Sequence, residues 1–368
     1  MLNASSSRRR VLVVDDSAFI RRVVCDVIGG SPDFEVAGEA GDGYTALRLV
    51  QSLAPDLVTL DVQMPGLDGL ATLGYIMREA PRPVVMLSAQ ADGGDTTIRA
   101  LELGAVDFVR KPALGDAIDL ATLQGRLLGA LRTAAGSQCT SVPVLARTPV
   151  RARAPLVSAD IAPTHVVVVA ASTGGPRALA EIVPMLEPST AAVIVVQHMP
   201  PGFTLSLARR LDALSALPVE EAVDGDRLRA GHAYVAPGGL HTTIVTRDGQ
   251  LHLAVSSGAA VHGVAPAADP TLESAAAAFG ARCVAVVLTG MGHDGARGAR
   301  AVREAGGYVV VQDESTSIVY GMPQAALAAA GADAIASLDR VAEAVARGLR
   351  ARGLDARGLD ARGLDARG

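Results

Sequence analysis

The sequence predicts an α/β protein with two doubly wound domains, each built around a parallel sheet. Two stretches of the chain alternate between short apolar runs, typical of buried strands, and longer helical stretches. One extends over residues 11–131 and the other over 164–350. The segment 132–163 between them is rich in Ser, Thr, Pro and Ala, as linkers often are. A chain of 368 residues is also longer than one ordinary α/β core requires.

Composition narrows the class of protein. Hydrophobic residues make up 49% of the chain and charged residues 19%, which suits compact soluble domains, and the net charge of −5 argues against a nucleic-acid partner. No apolar run approaches the roughly 20 residues that a bilayer crossing needs, so we expect no membrane insertion. The three cysteines, at 25, 139 and 283, form neither a close pair nor a metal-binding spacing. Reduced thiols and the lack of a signal-peptide pattern predict a cytoplasmic protein.

The first domain is predicted to contain five parallel strands and to end in a helix over 120–131. The strands are expected near 11–14, 34–37, 57–60, 84–87 and 106–109. Asp15 and Asp16 follow the first strand and Asp61 follows the third. Because the carboxyl ends of parallel strands share one edge of the sheet, these carboxylates should converge, and clustered oxygens suit Mg²⁺. Ser88 ends the fourth strand and Lys111 follows the fifth.

The second domain is predicted to start at His165 with a buried, Val-rich strand. The remaining strands are expected near 192–196, 219–222, 233–235, 284–288 and 308–312, with helices over 177–186, 203–211, 271–279, up to 305, and 341–349. Two further strands, 242–246 and 251–255, flank an Asp-Gly pair, which predicts a β-hairpin.

Three polar residues follow three different apolar strands of this second domain. Ser172 lies on a strand-to-helix turn, His198 follows the next strand, and Asp294 lies just beyond the strand 284–288. Strand ends of a parallel sheet lie along one edge, so the three side chains can meet there. A hydroxyl, an imidazole and a carboxylate are the groups that serine acyl transfer requires.

The spacing alone leaves alternatives open. The Gly-rich turn at Ser172 also suits a helix cap or a phosphate-binding loop. His241 and His293 are rival bases, or could bind zinc together with His198, and Asp294 could be only a helix N-cap. A non-catalytic phosphorelay binding module therefore remains a second interpretation.

The first domain resembles the receiver domain of two-component response regulators, which is flavodoxin-like. The resemblance lies in Val-Asp-Asp (14–16), Leu-Asp-Val-Gln-Met-Pro-Gly-Leu-Asp-Gly (60–69), Ser-Ala (88–89) and Gly-Ala-Val-Asp-Phe-Val-Arg-Lys-Pro (104–112). It implies that Asp61 accepts a phosphoryl group from a histidine kinase. It further implies that Asp15, Asp16 and Asp61 hold Mg²⁺ and that Ser88 and Lys111 contact the phosphoryl oxygens.

The second domain resembles the chemotaxis protein-glutamate methylesterase family, whose catalytic domain is Rossmann-like. The matching stretches are Ala-Ser-Thr-Gly-Gly-Pro (171–176), Val-Gln-His-Met-Pro-Pro-Gly-Phe (196–203), Tyr-Val-Ala-Pro-Gly-Gly-Leu-His (234–241), Leu-Thr-Gly-Met-Gly-His-Asp-Gly-Ala (288–296), Gln-Asp-Glu-Ser (312–315) and Gly-Met-Pro (321–323). With the receiver, the resemblance covers about residues 11–345.

This resemblance implies a nucleophile at Ser172, a base at His198 and an orienting acid at Asp294. Thr173 and Met291 would line the site, with backbone N–H groups as oxyanion donors. The implied reaction removes methyl esters from glutamyl side chains of chemoreceptor cytoplasmic domains, and deamidates certain glutamines there, without a cofactor. The receiver would block the site until Asp61 is phosphorylated. A receiver-controlled hydrolase acting on another acyl substrate is the alternative.

The sequence departs from the family pattern in a few places. Ala170 replaces a common Gly, Gln63 replaces a frequent acid after the phosphorylated residue, and the stretch 264–269 replaces a usual Arg-Pro-Ser-like segment. The ends of the chain show neither resemblance. Residues 1–10 are predicted to be an extension, and 351–368, which repeat Leu-Asp-Ala-Arg-Gly, a disordered tail.

Overall fold

The computed structural model describes residues 8–88, 93–111, 120–138, 161–187, 190–351 and 353. It divides into two compact units, with the division after Ala146. Most of the predicted linker, the first seven residues and nearly all of the repeat tail lie outside the described residues. Within the ranges given, no helix is both long enough and apolar enough to cross a bilayer.

The first unit is a five-stranded parallel sheet with helices between its strands. In chain order its elements are β1 (Arg9–Val14), α1 (Ala18–Gly29), β2 (Phe34–Ala40), α2 (Gly43–Leu53), β3 (Leu57–Asp61), α3 (Gly69–Glu79), β4 (Val84–Ser88), α4 (Gly93–Glu102), β5 (Asp107–Arg110) and α5 (Leu120–Ala135). The strand order is β2-β1-β3-β4-β5. Since β1 and β3 are neighbours and Val14 pairs with Leu60, Asp15 just after β1 and Asp61 at the end of β3 lie side by side.

Side-chain caps fix where three helices of this unit begin. Ser17, Asp42 and Asp68 each accept a hydrogen bond from a backbone N–H of the first turn of α1, α2 and α3. Such caps satisfy amides that have no partner within the helix. The connections after β1, β2 and β3 therefore each end at a capped helix start.

The second unit contains a seven-stranded parallel sheet and a separate hairpin. Its elements are β6 (His165–Ala171), α6 (Gly175–Ile182), β7 (Ala191–Gln197), α7 (Phe203–Leu214), β8 (Val219–Glu221), β9 (Ala233–Val235), β10 (His241–Arg247), β11 (Gln250–Ser256), α8 (Ala268–Phe279), β12 (Cys283–Val287), α9 (Ala296–Glu304), β13 (Tyr308–Gln312), α10 (Gly321–Ala330), β14 (Ala334–Ala336) and α11 (Val341–Ala351). The sheet order is β14-β13-β12-β6-β7-β9-β8.

The core of this unit lies at the centre of the sheet. Every residue of β6, β7 and β12 is buried, as expected when helices cover both faces of a parallel sheet. These three adjacent strands precede Ser172, His198 and Asp294. The predicted fold class, two parallel-sheet α/β units with one hairpin, is confirmed.

The hairpin forms at the predicted Asp-Gly pair. Arg247 pairs with Gln250, and the two residues between them, Asp248 and Gly249, have φ values of 50° and 74°. Positive φ at both central positions is the geometry of a type I′ turn, whose twist matches that of the two strands.

Some elements differ from the sequence prediction. Helix α6 begins at Gly175 rather than residue 177, because Pro176 fits the first turn of a helix, where its missing N–H costs nothing. It ends at Ile182, and Val183–Met185 continue as one 3₁₀ turn. Helix α10 and strand β14 were not predicted: α10 is rich in Ala and shows no clear apolar stripe, and β14 has only three residues. Of the two cysteines among the described residues, Cys25 is partly buried and Cys283 is buried.

Burial in the second sheet predicts the effect of two matched substitutions. Ile194 in β7 is fully buried, whereas Ile335 in β14 is 56% exposed. Ile194→Ala should lower the free energy of unfolding by about 2–5 kcal/mol, because it removes buried methyl groups and leaves a cavity. Ile335→Ala should change it by less than about 0.5 kcal/mol. Urea unfolding of both variants followed by circular dichroism checks this; equal losses would contradict the burial of β7.

Candidate functional site

Ser172 lies on a tight turn between β6 and α6. Its N–H donates to the carbonyl of Thr289 at 3.0 Å, and its own carbonyl accepts the N–H of Gly175 at 2.8 Å. Gly174 has a φ of 76°, a conformation that favours glycine. The turn places Ser172 just beyond the end of β6 and before the start of α6.

The register of β6 and β7 places Ser172 beside His198. Ala171 of β6 pairs with Gln197 of β7, and Ser172 and His198 are the residues that directly follow these two. The N–H of His198 also donates to the carbonyl of Ala171 at 3.1 Å. Among the described residues, Ser172 Oγ makes no hydrogen bond to the imidazole.

Residues after β12 support the Ser172 turn from its other side. Thr289 Oγ1 donates to the carbonyl of Thr173 at 2.9 Å, and the N–H of Thr289 donates to Gln312 Oε1 at 2.8 Å. A Cβ at Gly290 would lie 2.7 Å from Ser172 Cβ, so only glycine allows this approach. Sequence reasoning gave no role to Thr289 or Gln312, although both lie within motifs that it singled out.

His198 and Asp294 form a close pair. His198 Nε2 lies 2.7 Å from Asp294 Oδ2, and the two side chains are 10% and 2% exposed. Because the carboxylate accepts the proton of Nε2, the neutral ring keeps its lone pair on Nδ1. The structure thus brings together the predicted imidazole and carboxylate.

Three backbone N–H groups also donate to the Asp294 carboxylate. Ala268 donates to Oδ2 at 2.6 Å, and Asp269 and Gly295 donate to Oδ1 at 3.0 Å. Burial alone would raise the pKa of Asp294, but the hydrogen bond from His198 and those from the backbone hold the pKa below its usual value. Asp294 is therefore ionised at neutral pH.

Asp294 caps a helix, but not the one that follows it in sequence. Ala268 and Asp269 are the first residues of α8, which has no side-chain cap of its own. The positive end of this helix further stabilises the carboxylate. The N-cap interpretation and the orienting-acid interpretation of Asp294 are thus compatible, and the cap on α8 could not be read from local sequence.

The two rival histidines, His241 and His293, contact other groups. His241 Nε2 bonds the carbonyl of Ala259 at 3.1 Å, and the exposed ring of His293 packs edge-on against His262, with ring centroids 4.3 Å apart. Among the described residues, His198, His241 and His293 do not come together as a metal-binding group.

A second His–Asp pair lies next to Asp294. His262 Nε2 lies 2.8 Å from Asp269 Oδ2, and ligand atoms of these two residues and Asp294 lie within 4.8 Å of one another. Asp269 also accepts the N–H of Gly298 at 2.8 Å. The carboxylates of Asp269 and Asp294 both already accept hydrogen bonds from protein groups. These hydrogen bonds explain why the three side chains lie close together.

The oxyanion residues expected from sequence lie on two different loops. Thr173 directly follows Ser172, and its N–H donates to no acceptor among the described residues. Met291 lies between Gly290 and Gly292, with its side chain 58% exposed.

In the first unit, the predicted acids converge at the carboxyl edge of the sheet. Carboxylate oxygens of Asp15, Asp16 and Asp61 lie within 4.8 Å of one another. Lys111 Nζ contacts Asp15 Oδ2 at 2.7 Å and Asp61 Oδ1 at 2.6 Å. Ser88 Oγ lies 3.3 Å from Thr97 Oγ1, a residue of α4 that sequence reasoning did not single out.

The electrostatics of this cluster differ from those at Asp294. Burial raises the pKa of Asp61 to about 6; the hydrogen bond from Lys111 opposes this, and the nearby charge of Asp15 adds to it. Burial acts to lower the pKa of Lys111, but its contacts with Asp15 and Asp61 raise it overall. The cluster contains two buried carboxylates and one exposed carboxylate but a single ammonium group, that of Lys111. It therefore carries excess negative charge. Such hard oxygen ligands fit a divalent ion such as Mg²⁺.

The raised pKa of Asp61 predicts a pH-dependent stability. Ionised Asp61 is disfavoured in the folded state, so Asp61→Asn should stabilise the first unit at pH 7. The gain should shrink as the pH falls through about 6 towards 4, because the native carboxyl then takes up a proton. Hydrogen exchange of the β3 and β4 amides measures this.

Asp42 supplies a control of opposite sign. Hydrogen bonds from Thr45 lower the pKa of Asp42, so Asp42→Asn should be less stable than the native protein at neutral pH. This difference should shrink at acidic pH, because the native Asp42 is then protonated and loses its stabilising effect. A gain for Asp61→Asn that is absent at pH 7, or that stays constant with pH, would contradict the electrostatics described for Asp61.

Comparison with known proteins agrees with this architecture. Residues 167–345 match the family model of the CheB methylesterase, and residues 11–122 match that of the response regulator receiver domain. A protein-glutamate methylesterase/protein-glutamine glutaminase of Pyrococcus abyssi is 44% identical over 345 residues, covering 92% of this chain and 93% of its own. One of Pseudomonas aeruginosa is 43% identical over 336 residues, covering 91% and 95%.

Among solved structures, the CheB methylesterase catalytic domain of Thermotoga maritima is 41% identical and covers 49% of this chain and 95% of its own, with a TM-score of 0.47. The response regulator domain of Thermotoga maritima CheB is 42% identical and covers 36% of this chain and 98% of its own, with a TM-score of 0.34. From the full-length relatives and the two matched models, the chain belongs to the CheB methylesterase family, with an N-terminal response regulator receiver domain.

Proposed function

We propose that this chain is a receiver-controlled protein-glutamate methylesterase and protein-glutamine glutaminase. In this proposal, residues 11–131 are the control domain and 164–350 the hydrolase domain. The observation that carries the proposal is the 2.7 Å contact between His198 and Asp294, at strand ends beside Ser172. The relatives that bear this name match both domains in one chain.

The proposed reaction uses Ser172 as nucleophile and His198 as general base. Asp294 holds the Nε2 proton, so Nδ1 of His198 takes the proton of the Ser172 hydroxyl as Oγ attacks the ester carbonyl. The protonated ring then gives a proton to the leaving methanol, and the negative charge of Asp294 stabilises that ring. Water, activated by the same base, attacks the acyl-enzyme and releases the glutamate. With a glutamine substrate, ammonia leaves in place of methanol.

Backbone donors complete the proposed chemistry. The N–H of Thr173 has no acceptor among the described residues, so it can donate to the negative oxygen of the tetrahedral intermediate. The backbone N–H of Met291 is the second proposed donor, because its loop is anchored beside Ser172 through Gly290. No step of this ester hydrolysis calls for a metal or an organic cofactor.

The proposed substrates are glutamyl methyl esters, and particular glutamines, on the cytoplasmic domains of chemoreceptors. The names of the relatives support the reaction, and the exposed side chain of Met291 at the rim suits a site that takes a side chain from another protein. A receiver-controlled hydrolase for another acyl group would show the same triad, so methanol release from receptors distinguishes the two. We also propose that the protein acts in the cytoplasm, where these receptor domains lie.

The proposed control residue is Asp61, phosphorylated by a histidine kinase. Asp15, Asp16 and Asp61 would hold Mg²⁺, which when bound neutralises charge on the incoming phosphoryl group. Lys111 already lies 2.6 Å from Asp61 and can balance the charge of the product, and Ser88 would contact a phosphoryl oxygen. Phosphorylation would favour an arrangement of the chain in which the hydrolase is active.

The first test concerns the nucleophile. Ser172→Ala should lower methanol release from methylated receptor membranes by about 10⁴-fold or more, because no other residue supplies the attacking hydroxyl. Ser215→Ala, which removes a buried hydroxyl at the end of α7, is the matched control and should leave the rate unchanged. Full activity in Ser172→Ala would refute the proposed mechanism. Labelling of Ser172 by a serine-directed reagent excludes a purely binding role.

The second test concerns control by the receiver. A small-molecule phosphodonor with Mg²⁺ should raise the rate at which the full chain releases methanol from methylated receptors. Asp61→Asn should abolish that rise and leave the rate without phosphodonor unchanged. Steady-state methanol release with and without the phosphodonor measures the effect. A rise that survives Asp61→Asn would show that activation does not pass through this carboxylate.

A further inference from the structure

Gln197, the last residue of β7, lies between the nucleophile and the base of the proposed triad. Its side chain is buried, with the residue 2% exposed. Its Nε2 donates to the carbonyl of Ser172 at 2.9 Å and to the carbonyl of His198 at 3.2 Å. The side-chain amide of Gln197 is therefore hydrogen-bonded to the backbone of both Ser172 and His198, the two residues between which the proposed proton transfer takes place.

The position of Gln197 explains why a side chain is needed there. The last backbone bond between the two strand ends is that from His198 N–H to the carbonyl of Ala171. Beyond it both chains leave the sheet, one into the turn before α6 and the other towards α7. No strand pairing holds Ser172 and His198 together from that point on, and the Gln197 amide takes its place.

The orientation of the amide is determined by its two acceptors. If the carboxamide were reversed, its oxygen would face two carbonyl oxygens, which repel it. As observed, Oε1 accepts no hydrogen bond among the described residues and lies against Gly175, where a Cβ would overlap it. A buried acceptor without a partner is unfavourable, so the contacts of Nε2 are what this side chain contributes.

We propose that Gln197 is a positioning residue for the reaction, holding the Ser172 turn and His198 in the geometry that proton transfer requires. The inference rests on the proposed function of Ser172 and His198. Gln197 reaches neither the Ser172 hydroxyl nor the imidazole, so it acts on catalysis only through the backbone of these two residues. Its loss should therefore lower kcat and leave KM nearly unchanged.

Two substitutions separate the hydrogen bonds of Gln197 from its bulk. Gln197→Met keeps the length of the side chain and removes both donors; it should lower kcat by about 10- to 100-fold at every pH. Gln197→Glu keeps the shape and makes the donor titratable. The introduced carboxyl can donate one hydrogen bond when protonated, and it repels both carbonyls when ionised.

The pH profile is the decisive readout. Burial and the two facing carbonyls raise the pKa of the introduced carboxyl. The ratio of Gln197→Glu to native kcat should therefore be highest at acidic pH and fall as the pH rises through that pKa. The same ratio for Gln197→Met should be flat, since methionine does not titrate. Circular dichroism at each pH confirms that the variants stay folded.

Ser274→Ala is the matched structural control. Ser274 Oγ accepts the N–H of Ile244 and donates to the carbonyl of Thr271, so its loss weakens the packing of the hairpin on α8 away from Ser172. Ser274→Ala should lower the free energy of unfolding and leave kcat and its pH profile unchanged. Gln197 variants that behave like Ser274→Ala would overturn the inference.

Two assays keep this inference distinct from the proposed substrate. One measures methanol release from methylated receptors, and the other the rate at which a fluorophosphonate labels Ser172, which needs an activated serine but no receptor. Native protein that is labelled but releases no methanol would refute the substrate alone, and the labelling rates of the variants would still judge Gln197. If labelling is equally fast in native protein and both variants, the positioning role is wrong; if native Ser172 is not labelled, both proposals fail.

Discussion

The rest of the second site depends on the hydrogen bonds that stabilise the buried carboxylate of Asp294. A charge that is only 2% exposed is costly unless donors surround it, and here three backbone N–H groups and one imidazole do so. These contacts also hold the Nε2 proton of His198 in place, which leaves Nδ1 as the basic nitrogen. The same set of hydrogen bonds thus holds the loop after β12 against α8 and fixes the His198 ring in the orientation that the proposed proton transfer uses.

Each unit buries a carboxylate, and the pKa values of the two carboxylates are shifted in opposite directions. Asp294 receives enough hydrogen bonds for its pKa to lie below the usual value, whereas Asp61 shares one ammonium with Asp15 and has a pKa of about 6. The first arrangement provides a carboxylate that stays ionised at neutral pH. The second leaves a site short of positive charge, which a divalent ion and a covalent modification can alter. One carboxylate suits a fixed catalytic group and the other a switch.

Much of the architecture could be predicted from sequence because parallel sheets have a strong local signature. Val-rich runs such as β6 and β12 mark buried strands, and polar residues that end such strands must lie along one edge. The order of the motifs then located Ser172, His198 and Asp294. The Asp-Gly pair at 248–249 likewise specifies its own turn, because the twist of the hairpin needs positive φ at both residues.

What the sequence could not show are contacts between a side chain and a distant backbone. The amides of α8 that hold Asp294 come from residues about 25 positions earlier, and no local pattern links them. The two bonds of Gln197 depend on how two chains leave the sheet, which strand propensity does not encode. Helix α10 was missed for a different reason, since its Ala-rich surface lacks the apolar periodicity by which helices are recognised.

The position of β12 between β6 and β13 also affects how the protein is made. Asp294 follows His198 by 96 residues, so the ribosome has released Ser172 and His198 long before Asp294 emerges. Until β12 docks, the edge of the Val-rich strand β6 presents unpaired backbone groups, a surface to which other unfinished chains can add. A chain cut short before residue 283 would therefore lack Asp294 and expose the edge of β6, so under the proposed mechanism it would be inactive and prone to self-association.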